Sequence, residues 1–123
     1  MKGTLWVDVV GELIIARVRG EPTGELLREC HDQVVLLTKE SRRGKVLYDT
    51  LEMEPPPPTV PMTQWKLDAE LTGVTLRRAI VVPNSKLAYL ARIAFGDGDY
   101  RVFYNDMVEA IEWLTKKPAP LKE

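Results

Sequence analysis

Two side-chain types that build many enzyme sites are almost missing from this chain. Its 123 residues include one cysteine, Cys30, and one histidine, His31. A single cysteine cannot form an internal disulfide or a cysteine-based zinc site, and a single histidine cannot form a multi-histidine metal site. Adjacent side chains on a helix diverge by about 100°, so these two cannot act together as nucleophile and base. We therefore expect no metal and no cofactor.

The chain also lacks an excess of charge of either sign. It has 17 basic and 18 acidic residues, which gives a net charge of -1. No overall field attracts a polyanion, so we expect no nucleic-acid partner. Asp8 and Glu12 interrupt the apolar run near the N-terminus, so we expect this run to be neither a signal peptide nor a membrane span. A reducing cytoplasm fits this composition, and peripheral contact with a membrane is the alternative location.

Period-two and helical hydrophobic spacing alternate along the chain, which is typical of an α/β fold. The first two strands flank Gly11 and Glu12 and predict an antiparallel hairpin, whereas the later strands alternate with helices and predict parallel crossovers. We expect an open, mostly parallel five-stranded sheet with an antiparallel first strand and four helices. The predicted strands are 4–10, 13–19, 45–50, 76–83 and 100–104. The predicted helices lie in 21–41, 61–73, 84–96 and 106–117, with Thr23 and Asn105 as N-caps and Gly96 as a C-terminal cap. Residues 1–117 form one predicted domain, and residues 118–123 a frayed tail.

This element order, together with the segments "RRAIVVPNSKLAYLARIAFG" and "YRVFYNDMVEAIEWL", resembles the SpoIIAA-like branch of the STAS superfamily. The resemblance covers about residues 5 to 114 and implies an open α/β sheet that binds rather than catalyses. The same branch is similar to Sec14-type lipid-binding domains, which implies contact with an apolar ligand or a membrane.

The resemblance also implies a regulatory switch after the third strand. In anti-sigma factor antagonists, a serine in an Asp-Ser-Ser-Gly-like turn is phosphorylated and releases a partner. This chain has Asp49, Thr50, Leu51 and Glu52 at that place. Asp49 matches the aspartate and Thr50 is the hydroxyl candidate, but the Ser-Gly pair is missing. A protein–protein switch controlled by modification of Thr50 is therefore the alternative function.

Several polar residues follow the predicted central strands, where open α/β sheets bind ligands. Asn84 and Ser85 begin the third helix, so they either cap it or help to hold an anion. A catalytic role would need Asp49, Glu52 and Ser85 to converge in one pocket; we expect no catalytic residues. The prolines 55–58 favour an extended strut between strand and helix, and a spacer is the simplest interpretation.

The second and third predicted helices carry apolar residues on more than one side, so each needs cover on more than one side. Either the spare faces bury against each other and the proline segment, or they meet a ligand, a bilayer or a second subunit. The chief functional hypothesis is thus a non-catalytic binding module for a nonpolar small molecule, a membrane surface, a protein partner or another copy in a homodimer. The residues assigned to this surface are Trp65, Leu67, Leu71, Tyr89, Ile93 and Phe95.

Overall fold

A computed structural model describes residues 3–56, 59–60, 62, 76–95 and 99–116, and its strands form one five-stranded sheet. The strands lie side by side in chain order; the first pair is antiparallel and every later pair is parallel. This arrangement confirms the predicted sheet. The strands are β1 (Thr4–Val10), β2 (Leu13–Arg19), β3 (Lys45–Asp49), β4 (Arg77–Val82) and β5 (Tyr100–Tyr104).

Three helices with determined bounds lie in the described residues: α1 (Gly24–Ser41), α2 (Ser85–Phe95) and α3 (Met107–Lys116). The Thr23 hydroxyl accepts a hydrogen bond from the Leu26 N–H at 3.1 Å, as predicted for an N-cap. Helix α1 ends at Arg42, whose φ of 60° is left-handed and whose N–H donates to the Thr38 carbonyl. Arg43 and Gly44 then connect the helix to β3.

The prediction that Asn105 caps the last helix is wrong. The Asp106 carboxylate accepts from the Glu109 N–H at 2.9 Å, so Asp106 is the N-cap of α3. Asn105 instead has a positive φ of 51°, and its N–H donates to the Val82 carbonyl at 2.8 Å. Because this backbone hydrogen bond extends the pairing of β4 with β5, Asn105 is still tied to the end of the strand. The helix cap is therefore one residue later than predicted.

The sheet separates two hydrophobic cores because alternate residues of β3 and β4 point to opposite faces. Helices α1 and α2 cover one face, with Ile14, Val46 and Ile80 beneath them. Helix α3 covers the other face, where Ala110 and Leu114 pack on the sheet. The sheet residues under α3 are Leu13, Leu47, Ala79, Val81 and Phe103.

Helix α2 buries more of its circumference than the sequence indicated. Phe95, which the sequence assigns to the apolar binding surface, is instead buried and packs against Tyr48 and Tyr100, with ring centroids 5.4 and 5.8 Å away. Ile93, assigned to an outward face, is half-buried against the same core. The last turn of α2 therefore belongs to the interior of the fold.

The predicted helix 61–73 lies outside the described residues except for Met62, and so do Trp65, Leu67, Leu71 and the predicted Gly96 cap. Thr59, Val60 and Met62 have helical conformation, so helix begins before the predicted start at Pro61. Within the described part of the chain, no helix is both long enough and apolar enough to cross a membrane.

Candidate functional site

The polar residues singled out from the sequence meet at one edge of the sheet. Asp49 ends β3 and pairs in register with Val81 near the end of β4, which places the two strand ends side by side. We call residues 49–54, which follow β3, and residues 83–89, which follow β4, the carboxyl edge. Open parallel sheets bind their ligands at such an edge.

Asp49 is a structural carboxylate at this edge. It is buried; its Oδ2 accepts from the Arg17 Nε at 3.0 Å, and its Oδ1 accepts from the Leu51 N–H at 3.1 Å. Both oxygens are thus engaged, one in joining β3 to β2 and the other in forming the turn that follows. These bonds hold the first residues of the carboxyl edge in one conformation.

Thr50 is buried as well, with 7% of its surface exposed. Its N–H donates to the Val81 carbonyl at 3.0 Å, and its hydroxyl donates to the same oxygen at 2.6 Å. The hydroxyl lies inside the fold and is bonded to the backbone of β4. A modifying enzyme would reach it only if residues 50–53 moved away from the sheet.

The start of α2 is built differently, because here the polar residues face solvent. The Asn84 Oδ1 accepts from the Leu87 N–H at 2.9 Å, so Asn84 caps the helix. Ser85 is exposed and makes no part of this cap. The Asn105 side chain donates to the Pro83 carbonyl at 3.1 Å and ties the end of β5 to this turn. The cap accounts for Asn84 without a bound anion.

An apolar cavity of about 80 Å³ lies between α1, α2 and the carboxyl edge. Phe95 is the one residue of the assigned apolar surface that lines it in the described chain. Met53, Val60 and Cys30 also line it, and no local pattern could identify them because they come from three separate segments. Pockets for small molecules usually measure about 300–1,000 Å³, and a cavity of about 150 Å³ holds benzene. At its present size the cavity, which is partly open to solvent, is too small for a lipid chain.

Cys30 borders this cavity but is not a reactive thiol. Burial and, to a smaller extent, the nearby Glu29 carboxylate together raise the pKa of the Cys30 thiol to about 12. The thiolate is the nucleophilic form, so at neutral pH this side chain acts as a small apolar residue.

The outward side of α2 presents Tyr89, which is 64% exposed although its neighbours Ala88 and Leu90 are buried. Met62 is also exposed, and Val60, two residues before it, lines the same cavity as Leu90. Tyr89 is therefore the described member of the assigned surface that is available to a partner.

The residues of the hypothetical enzyme do not form one site. Asp49 points to the α3 face, like Leu47 two residues earlier, whereas α2 and Ser85 lie on the opposite face. Glu52 is exposed and lies 3.4 Å from the Arg19 Nε. Among the described residues, no group of three or more histidine, cysteine, aspartate or glutamate side chains could hold a metal ion.

Two solved structures are similar to this chain over almost its whole length. A crystal structure of an anti-sigma factor antagonist from Mycobacterium paratuberculosis superposes with a TM-score of 0.67 at 12% identity, over 92% of this chain and 94% of the other. An uncharacterized protein of the DUF3478 family with a SpoIIAA-like fold, from Shewanella loihica, gives a TM-score of 0.58 at 20% identity, over 91% and 93%. No family model and no curated protein matches the sequence. At these identities the likeness establishes the architecture: the chain has a SpoIIAA-like fold, as its sequence predicted.

Proposed function

We propose that this chain is a non-catalytic protein-interaction module that binds a partner protein at the carboxyl edge, with Tyr89 at the centre of the contact. The observation that carries the proposal is Tyr89, a large aromatic side chain that is mostly exposed on a helix whose other apolar residues are buried or half-buried. Tyrosine is enriched at the energetic centres of protein interfaces, because it buries a large area at a small cost in conformational entropy. The similarity to an anti-sigma factor antagonist supports a regulatory partner.

The geometry favours constitutive binding over a phosphorylation switch at Thr50. The Thr50 hydroxyl is buried and bonded to Val81, so phosphorylation would place a dianion in the fold. The Ser85 hydroxyl is exposed at the same edge and faces no such barrier. Partner binding would then be set by the surface of α2 and not by the turn after β3.

A nonpolar ligand or a membrane surface receives less support than a protein partner. The described cavity is smaller than a benzene-sized site, so an acyl chain would need several side chains to move. Tyr89 is one exposed residue on a helix that also presents Lys86 and Arg92 to solvent. This mixed surface suits a protein interface better than the interior of a bilayer.

Photo-crosslinking in the host cell tests the proposed contact. Tyr89 is replaced by p-benzoylphenylalanine, and Val108 is replaced in a matched control, because Val108 is 67% exposed on α3 at the other face of the sheet. We expect one adduct of defined mass from position 89 and none from position 108. An excess of the wild-type chain should compete the adduct away, whereas an excess of the Tyr89→Glu variant should not. Equal adducts from both positions, or none from position 89, would refute the proposal.

A further inference from the structure

Among the described residues, strand β1 ends one side of the sheet, and its edge carries few of the features that normally block pairing, since Asp8 is its only charged residue. Its sequence, TLWVDVV, has no proline and no lysine, and all seven residues pair with β2 without a bulge. Natural edge strands usually carry such residues or a bulge, because unpaired N–H and C=O groups invite another strand. The opposite edge strand, β5, is shorter, carries the exposed Arg101 and lies between α2 and α3.

The hairpin geometry identifies the backbone groups at this edge. Residues 11 and 12 form a two-residue turn, so Val10 and Leu13 are a hydrogen-bonded pair, and such pairs alternate along an antiparallel ladder. The N–H and C=O groups of Leu5, Val7 and Val9 must then point away from β2. In agreement, the Val9 N–H donates to the neighbouring Asp8 carboxylate at 2.8 Å and not to β2.

The side chains of the same three residues point to the α1 side of the sheet, where they are only half-buried. On α1, Leu37 packs in the same cluster, and Leu26 lies beside the start of β1, next to Gly3. Together these half-buried residues form an apolar strip along the free edge, and a strand added to β1 would cover it. The strip consists of Leu5, Val7, Val9, Leu26 and Leu37.

We propose that a second copy of this chain pairs its β1 antiparallel with the first, about a two-fold axis at Val7. The register pairs Val7 with Val7, Leu5 with Val9 and Val9 with Leu5, so the outward backbone groups of each copy face those of the other. On pairing, the Val9 N–H exchanges the Asp8 carboxylate for the opposing Leu5 carbonyl. On the opposite face, Trp6 meets Asp8 and Thr4 meets Val10, which separates the two Asp8 charges. The two-fold also brings the apolar strips of both copies together. The product is a closed dimer with one continuous sheet across both subunits.

The interface is small, since it comprises one strand edge and one flank of α1. Contacts below about 1,200 Å² are usually weak and reversible. We therefore expect a monomer–dimer equilibrium that depends on protein concentration. The dimer leaves Tyr89 untouched on α2, so it is independent of the proposed function.

Cysteine cross-linking tests the register in a Cys30→Ala background. Val7→Cys places the two introduced thiols opposite each other, at the Cα separation of about 5.5 Å that a disulfide accepts. Val10→Cys is the matched control, because its two copies would lie about 20 Å apart along the strands. We expect oxidation to give a covalent dimer with Val7→Cys and none with Val10→Cys. A mixture of Thr4→Cys and Val10→Cys chains should give the mixed dimer.

Sedimentation velocity of the wild type should show the mass shift towards twice the monomer value as concentration rises. Val7→Pro removes an outward N–H without breaking a bond to β2, and it should abolish that shift. Circular dichroism checks that this variant folds. If it does not fold, the cross-linking of the cysteine variants still tests the proposed pairing. A wild type that stays monomeric throughout, or a Val10→Cys chain that cross-links as fast as Val7→Cys, would overturn the proposal.

Discussion

At the residue scale, Thr50 is the hydroxyl that the sequence resemblance suggested as a modification site, yet it donates to the Val81 carbonyl inside the fold. Thr50→Glu should lower the free energy of unfolding by about 3 kcal/mol or more, because it buries an unpaired charge. Thr50→Val should cost only about 1 kcal/mol, the usual value of one hydrogen bond. Ser85→Glu, at the exposed start of α2, should change stability by less than about 0.5 kcal/mol. Urea unfolding measures all three, and equal stability of the two glutamate variants would show that Thr50 is accessible.

Cys30 provides the pH-dependent prediction, because its thiol titrates at 9.0 in the absence of the fold and at about 12 within it. The folded state thus holds the thiol proton more tightly than the unfolded state does. The contribution of the protonated Cys30 thiol to the free energy of unfolding is complete below pH 9.0 and is lost as pH rises towards 12. The full loss is on the order of 4 kcal/mol. Urea unfolding across this range should show a steeper decline for the wild type than for Cys30→Ala, in which the other titrating groups remain. Parallel declines would mean that the thiol is not buried.

At the element scale, the caps show what local sequence leaves undecided. Asn105 and Asp106 are both good capping residues, and the sequence favoured the first. The choice depends on the sheet, because the Asn105 N–H is taken by the Val82 carbonyl of a strand 23 residues earlier in the chain. Phe95 poses the same difficulty, because helical spacing assigns it to the binding surface and only the folded chain brings Tyr48 and Tyr100 against it.

The elements themselves could be read from the sequence because their signals are local. Period-two spacing located β1 and β2, and a near-continuous apolar run located β4. The state of the candidate site was not readable, since the burial of Thr50 depends on β4, and the cavity combines Cys30, Val60 and Leu90 from separate segments. Non-local packing, not local preference, decides whether a polar residue at a strand end faces water.

Substitution of Asp106 tests the corrected cap. Asp106→Ala should lower the free energy of unfolding by about 1 kcal/mol, because the Glu109 N–H loses its acceptor. Asp106→Asn is the control, and it should retain most of that stability because an amide oxygen caps equally well. Thermal denaturation followed by circular dichroism measures the difference. If Asp106→Ala left the free energy of unfolding unchanged, the result would indicate that Asn105 and not Asp106 caps the helix.

Substitution of two alanines on α2 tests whether the cavity can accommodate a larger side chain. Ala88 is fully buried and does not border the cavity, whereas Ala91 lines it. Ala88→Val should cost about 1–3 kcal/mol through overpacking. Ala91→Val places its added carbons in the void, so only the lower helix propensity of valine, about 0.5 kcal/mol and common to both variants, should remain. Equal losses in urea unfolding would mean that no such space exists at Ala91.

At the scale of the whole molecule, one sheet supplies residues to both cores. Because the same strands carry the side chains of both, separating the strands in one core also exposes apolar side chains of the other. Leu47 points to α3 and its neighbours Val46 and Tyr48 point to α1 and α2, which couples the two layers through β3. This arrangement leaves surface residues such as Tyr89 free to serve a partner without weakening the interior. The coupling predicts that the described layers unfold as one cooperative unit.

Leu114 tests that cooperativity, because it is fully buried on α3 and far in sequence from β3. Leu114→Ala should cost about 2–5 kcal/mol through the cavity it leaves. If the layers unfold together, native-state hydrogen exchange should show the same loss at the amides of α3 and at those of β3, where no contact was altered. Val108→Ala, an exposed change on the same helix, should leave both sets within about 0.5 kcal/mol of the wild type. A loss confined to α3 would instead show that the helix opens alone, and that the sheet and its α1–α2 layer form the stable unit that carries Tyr89.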